Sequence, residues 1–280
     1  MTSMYGDLDR PPLDAEALRR ALVTPGALWS DIEVLDQTSS TNALLARRIS
    51  DADARGASTD GMVVIAEHQT QGRGRLGRVW SAPPRSGLTM SVVVRPYDVA
   101  PNRWSWIPLL AGLAVAAAVR HEALVGATLK WPNDVMMQER KLAGLLVERI
   151  ESASHAPAAI IGIGLNVSLR RDELPVPAAT SLALEDAATT DRSLLARAVL
   201  RNLERLLTDW MRHGGDAEQG GLHAAYVQAC MTIGRHVRVE LPDGEVVEGT
   251  AVGIDGVGRL LVRSRGRQHA FSVGDVIHLR

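Results

Sequence analysis

The 280-residue sequence holds a single cysteine, Cys230, a single phenylalanine, and aromatic residues at only 4% of the chain. One thiol excludes an internal disulfide framework and any cysteine-rich metal site, which fits a reducing compartment. The shortage of aromatics leaves little material for the stacking platforms that hold single-stranded nucleic acid. A surplus of one charge is missing too: 31 Lys and Arg meet 32 Asp and Glu, a formal net charge of -1. Any anion site must therefore be local. No apolar run is long enough for a membrane span, and the longest, Trp104 to Val119, is interrupted by Pro108 and Gly112 and reads as a buried helix. The N-terminal stretch MTSMYGDLDRPPLDAEALRR lacks the apolar core of a secretory signal. These absences predict a cytoplasmic globular protein without a membrane partner.

What the chain does hold is concentrated at Gln69 to Trp80, QTQGRGRLGRVW, where three glycines alternate with three arginines. Gly72, Gly74 and Gly77 permit tight or left-handed backbone. Arg73, Arg75 and Arg78 carry planar, permanently charged forks suited to carboxylates and phosphates. The sequence predicts a flexible anion clamp, a lid that stays mobile until a ligand supplies contacts. GRGRLG also fits the dinucleotide fingerprint G-x-G-x-x-G, but that motif must open a helix, and the following VWSAPPRSG forbids one.

Along the chain, residues 1–27 are rich in Pro, Asp and Arg and predict a weakly ordered segment with at most one short helix, Asp14 to Leu22. Residues 28–231 form the expected large domain. In it, Ile32 to Thr38 reads as a strand, and Ser39, Ser40 and Thr41 offer caps for a helix through ALLARRI. MVVIAE and Leu88 to Val94 read as buried strands either side of the arginine loop. ATLKWPND predicts a strand ending in a turn, VMMQERKLAGLLVERI a hairpin turning at Gln138 to Arg140, and Ala158 to Leu169 another strand. Asp191 caps an amphipathic helix that Gly214 stops, and a shorter helix spans Leu222 to Met231. Residues 232–280 switch to short alternating segments separated by Pro242-Asp243-Gly244, Asp255-Gly256 and Gly274-Asp275, predicting a small C-terminal β-barrel.

Five polar blocks recur in order: Thr38 to Asn42, GRGRLGR, KWPND at Lys130 to Asp134, KLAGLLVE at Lys141 to Glu148, and GIGLNV at Gly162 to Val167. With these blocks the sequence resembles the biotin protein ligases from Ile32 to the C-terminus. The resemblance implies an α+β fold, a mixed and antiparallel central sheet flanked by helices as in class II aminoacyl-tRNA synthetases, followed by an SH3-like barrel. It implies that biotin and ATP give biotinoyl-5'-AMP and pyrophosphate, and that a lysine of a biotin carboxyl carrier domain takes the biotinyl group. Carried onto matching positions, it implies biotin contacts at Ser40, Thr41, Asn42, Gln69, Gly72, Arg73, Gly74, Arg75, Lys141 and Gly144, with Lys141 and Arg75 catalytic. The ATP and adenylate side falls on Arg73, Arg78, Trp80, Lys130, Asn133, Asp134 and Asn166, and Asp134 is the carboxylate available to Mg²⁺. Trp80 either stacks on adenine or is a packed aromatic. Some family members carry an N-terminal winged helix-turn-helix; about 30 residues before Ile32 are too few for one, so a ligase without repressor activity or a DNA partner is expected. Monomer and weak homodimer both stay open.

Two rivals are kept. A lipoate or octanoate ligase would share the core, and its transferase branch uses a cysteine or lysine in other local motifs. A nucleic-acid-binding module would use the arginine loop and the barrel, against the neutral net charge and the few aromatics.

Overall fold

The computed structural model describes residues 10–152 and 155–279. Its frame is a seven-stranded sheet built from β1 (Asp31–Leu35), β2 (Met62–Ala66), β5 (Gly87–Val94), β6 (Thr128–Lys130), β7 (Asp134–Met137), β8 (Arg140–Ile150) and β9 (Ala158–Asn166). Their spatial order is β1-β2-β5-β9-β8-β7-β6. β1 and β2 run parallel and every other neighbouring pair is antiparallel. β5 and β9 are apolar along nearly their whole length because they lie in the middle of the sheet, buried on both faces.

Helices cover both faces. On one side α2 (Thr41–Asp53) lays Leu45 and Ile49 on Val64, Val93, Ala158 and Ile160. On the other, α3 (Trp106–Glu122) is apolar around most of its circumference because it is sandwiched between the sheet and α4 (Arg192–Arg212). α3 starts at Trp106, two residues later than expected, because Pro101–Arg103 forms its own 3-10 turn first. Asp191 caps α4 as expected, accepting from the backbone N–H groups of Ser193 and Leu194 at 2.8 and 3.1 Å.

The expectation of a weakly ordered N-terminal segment falls partly outside the described residues, namely 1–9. Its described part is packed. α1 (Ala15–Leu22), capped by Asp14, buries Leu18 and Leu22 against the main core, and Leu13 is buried with them.

After α5 (Leu222–Ala229), the chain forms a five-stranded antiparallel sheet. Its strands are β10 (His236–Glu240), β11 (Val246–Ile254), β12 (Leu260–Ser264), β13 (Arg267–Phe271) and β14 (Asp275–His278), in the spatial order β13-β12-β11-β10-β14. The core residues Val237, Val239, Ala251, Leu260 and Val262 are continuous with the core of the large domain. The turn at 255–258 plugs into the seam: Trp106 and Trp131 donate their indole N–H groups to Gly256 O and Gly258 O at 2.9 and 3.1 Å.

Candidate active site

A cavity of about 400 Å³ lies over β5, β8 and β9, under the arginine loop. Its polar end is built by the chain crossing from β1 into α2. Thr38 and Gln69 extend the parallel β1–β2 pairing beyond the strands, which places Gln69 over the first turn of α2. Gln69 Oε1 accepts from the Thr41 backbone N–H at 2.8 Å and from the Thr41 hydroxyl at 3.0 Å. Ser91 Oγ, from β5, lies 2.6 Å from Thr41 Oγ1 and 2.5 Å from Asn42 Oδ1. Asn42 donates through Nδ2 to Glu148 Oε2 at 2.6 Å. Ser40, Thr41 and Asn42 are all buried here, so Ser40 is both the α2 cap and a cavity wall. This end offers amide and hydroxyl groups that donate and accept, the chemistry a ureido ring requires.

The charged end is held by a register fault in β8. Val135 pairs with Ala143 while Met136 pairs with Lys141, so Leu142 is the extra residue of a β-bulge. A regular strand would put Lys141 and Gly144 on opposite faces. With the bulge both face the cavity, and Leu142 and Ala143 go to the core. The bulge explains how a lysine beside the apolar run Leu142 to Val147 comes to face the cavity. Its backbone is fixed by residues 178–180: Lys141 N donates to Ala178 O at 2.7 Å and Thr180 N to Lys141 O at 2.9 Å. Lys141 Nζ stands 2.6 Å from Asp134 Oδ1.

The arginine loop is a small hairpin here. β3 (Gly72–Arg73) pairs with β4 (Val79–Trp80), and a turn at Arg75–Gly77 places Leu76 at φ 54° and Gly77 at φ 73°. Gly72 must be glycine for this pairing, since a Cβ would stand 2.3 Å from Trp80 O. Each of the loop's arginines meets a partner. Arg75 donates to Asn133 Oδ1 at 2.9 Å and to Gly274 O at 3.4 Å, and Arg78 pairs with Asp275. Arg73 reaches Glu148 Oε2 at 3.4 Å. Among the side chains lining the cavity, Arg73, Arg75, Arg78 and Lys141 face only the carboxylates Asp134 and Asp275. Burial pushes the Arg75 guanidinium below its ordinary pKa, Asp134 opposes this, and Arg78 adds to it. An anion entering here would relieve that desolvated, crowded positive charge.

Trp80 lies inward across the glycines of β8 and β9. A Cβ at Gly164 would stand 2.4 Å from Trp80 Cε2, and one at Gly144 would stand 3.3 Å from its Cζ3. Trp80 Nε1 is buried without a hydrogen-bond partner. Asn166, at the end of β9, is buried and donates to Thr180 O at 2.9 Å.

The structure thus brings Ser40, Thr41, Asn42, Gln69, Arg73, Gly74, Arg75, Arg78, Trp80, Asn133, Asp134, Lys141, Gly144 and Asn166 to one cavity. Two expected residues stand outside its lining: Gly72, which shapes the hairpin, and Lys130, on β6. Lys130 is the register partner of Asp134, and burial is the main cause that lowers its ammonium pKa, with Asp134 opposing. Sequence reasoning missed Ser91, Glu148, Gly162, Gly164 and Asp275 as named site residues. Gly162 and Glu148 belong to blocks already singled out, whereas the sequence marks Asp275 only as part of the Gly274-Asp275 turn. Cys230 is buried, absent from the cavity lining, and its thiol pKa is raised by burial. A cysteine transferase site is therefore not built here. Of the loop's arginines, Arg75 is half-buried, while Arg73 and Arg78 are exposed and paired with Glu148 and Asp275. Among the described residues no three His, Cys, Asp or Glu side chains gather as a metal cage.

Residues 34–166 match the Biotin/lipoate A/B protein ligase family, and residues 232–279 match the Biotin protein ligase C terminal domain. The chain is 44% identical, over 97% of both sequences, to the biotin--[acetyl-CoA-carboxylase] ligase of Mycobacterium tuberculosis. Its fold is similar to the biotin protein ligase of Aquifex aeolicus solved in complex with biotin and ATP, at TM-score 0.72 and 26% identity, covering 90% of this chain and 100% of that one. It is also similar to the Leishmania major biotin protein ligase in complex with biotinyl-5-AMP, at TM-score 0.56 and 26% identity, covering 90% and 99%. With both domains matched and one relative aligned along nearly its whole length, the chain belongs to the biotin protein ligases of the biotin/lipoate A/B protein ligase family.

Proposed function

We propose that this protein joins biotin to ATP as biotinoyl-5'-AMP, releasing pyrophosphate, and then transfers the biotinyl group to a lysine of a biotin carboxyl carrier domain of an acyl-CoA carboxylase. The observation that carries this reading is the cavity itself: a neutral hydrogen-bonding end at Thr41, Asn42, Gln69 and Ser91, continuous with a cationic end at Lys141, Arg75 and Arg78. One end suits an uncharged ureido ring and the other suits two converging anions.

In the first step a carboxylate oxygen of biotin attacks the α-phosphorus, the bond to the bridging oxygen breaks, and pyrophosphate leaves. Two anions must meet, so fixed cations offset their repulsion and hold the atoms in line. Lys141 sits where it can bridge the carboxylate and the α-phosphate, its backbone clamped on both sides. Arg75 and Arg78 come from the opposite wall on the hairpin. In the second step an uncharged amine of the carrier attacks the acyl carbon, AMP leaves, and the amine proton is lost to solvent. Closure of the hairpin keeps water from the mixed anhydride. Asn166 and Trp80 stand toward the nucleotide portion, and Lys130 adds positive potential from behind Asp134 without touching the ligand.

The donor set fits Mg²⁺ better than a protein-caged metal: Asp134 offers one carboxylate in the cavity, and this ion takes its remaining oxygens from phosphates and water. Bound there it would neutralise phosphate charge. No helix among the described residues is long and apolar enough to cross a membrane, and we place the reaction in the cytoplasm.

The test is biotin-dependent exchange between ATP and labelled pyrophosphate, followed by transfer of labelled biotin to a carrier domain. Exchange supported by lipoate or octanoate and not by biotin would overturn the reading.

A further inference from the structure

Building on the ligase reading above, we propose that Arg192 is the positioning residue of the arginine loop, tying its two stems together against the N-terminal segment. Arg192 opens α4, is 5% exposed, and pairs through Nη1 with Glu67 Oε2. The same Nη1 reaches Gly87 O at 3.4 Å. Glu67 follows β2 and Gly87 begins β5, so one guanidinium touches the residues on which the loop enters and leaves the sheet.

The N-terminal segment completes the tie. Arg192 Nη2 donates to Pro11 O at 2.5 Å, Glu67 Oε1 accepts from the Leu13 backbone N–H at 2.7 Å, and Arg10 donates to Ser168 O at 2.9 Å, just past β9. The ends of β2, β5 and β9 nearest the arginine loop are thus fastened by one strap. Gln69, which orders Thr41, stands two residues beyond Glu67, and Asn166 is the register partner of Gly87.

Energetics favour a geometric role over a stabilising one. A buried ion pair is commonly no more stable than apolar side chains of similar size, because both charges lose their water. What it does supply is direction. A planar fork with five N–H donors can hold Glu67, Gly87 and Pro11 at once, whereas an ammonium concentrates its donors on one atom. With the stems fixed, the hairpin hinges on a rigid base and Gln69 keeps its place over α2.

The test is pyrophosphate exchange at varied biotin on the full chain, with thermal melting in parallel. Arg192→Lys is expected to raise the KM for biotin about tenfold or more, while kcat at saturating biotin stays within about threefold, the pattern of binding lost equally from ground and transition states. Because a lone buried charge can unfold a protein, the second variant is Glu67→Gln/Arg192→Met, which removes both charges and leaves the substituted amide's carbonyl to accept from Leu13 N. A parental melting temperature with a raised biotin KM supports the inference. A folded double variant with the parental KM, or one in which kcat falls and the KM does not change, overturns it. If the unmodified chain showed no biotin-dependent exchange, the ligase reading itself would fail, and that result is read before either variant.

Discussion

Gly164→Ala isolates the contact between the lid and the floor. The backbone at Gly164 is ordinary strand, paired with Gly144 and Thr89, so alanine meets no conformational strain there. Its methyl carbon would stand 2.4 Å from Trp80 Cε2, 2.6 Å from Cζ2 and 2.8 Å from Nε1. Carbon atoms rest at about 3.5–4.0 Å, so the indole must retreat by roughly 1 Å. Trp80 lies on a surface hairpin, so the retreat is expected to cost the fold less than about 1 kcal/mol. The site loses more. Lifting Trp80 lifts β4 and shifts the turn that carries Arg75 and Arg78, and a displacement of that size costs about 10²-fold where charges must be aligned. The assay forms biotinoyl-AMP from labelled biotin and ATP without a carrier, then follows its loss from the protein by rapid filtration. Release about 10- to 100-fold faster is expected, with melting unchanged. Trp80→Ala/Gly164→Ala should then match Trp80→Ala alone, because the methyl group no longer has a ring to displace. Parental retention in Gly164→Ala would refute the placement of Trp80 on this floor.

Further predictions concern charge. On the proposed mechanism Lys141→Ala removes a cation at contact distance, about 3 Å, from the reacting oxygens, worth roughly 5 kcal/mol at an effective dielectric of about 20 and partly replaced by water; adenylation measured by pyrophosphate exchange should fall about 10²- to 10³-fold, and full activity would remove Lys141 from the mechanism. Arg75→Gly cuts the hairpin's link to Asn133 and Gly274, so adenylation should persist while biotinoyl-AMP escapes to free amines; retention as tight as in the parent, by filtration, would count against the lid. His278 is half-buried, and its pKa is pushed down to about 4, first by loss of water and then by the positive charges of Lys130 and Arg235. The folded protein then binds fewer protons than the unfolded chain between pH 6.5 and about 4, so this stability is full above 6.5 and drains as pH falls through that window, by at most about 3 kcal/mol. His278→Gln should flatten the melting temperature across it, and an unchanged acid slope would show that other groups set it.

How much of this was legible in the sequence depends on how far each signal reaches. The caps at Asp14, Ser40 and Asp191 act within three residues, and the buried strands β5 and β9 announce themselves by largely apolar runs without a charged residue. The site blocks could be read because each is contiguous and the chain meets them in order. The bulge at Leu142 could not be read, because it exists only in the pairing of β7 with β8. Residues 10–27 mislead for a related reason. Their Pro, Asp and Arg content resembles a tail, but Arg10 is held by Glu173, Pro11 O by Arg192, and Leu13 N by Glu67, all distant in sequence. Composition reports whether a segment can bury itself alone, and this one is held by partners it does not resemble.

The C-terminal sheet shows the same limit and also why its absence would be felt in the chemistry. A unit of about 48 residues has too little core to stand firmly alone, and here its core joins that of the large domain. The joint passes through KWPND. Trp131 gives its indole N–H to Gly258 O at 3.1 Å and its backbone N–H to Thr232 Oγ1 at 3.2 Å, while Thr232 Oγ1 lies 3.1 Å from His278 Nε2. Asn133 and Asp134 stand two and three residues further on, carrying the contacts to Arg75 and Lys141. From the other side, Gly274 O and Asp275 receive Arg75 and Arg78. The small sheet therefore fixes the wall that holds Asp134, the partner of Lys141, and the groups that receive Arg75 and Arg78. These are two ends of one geometry, and a change in how the sheet seats on α3 must move both together.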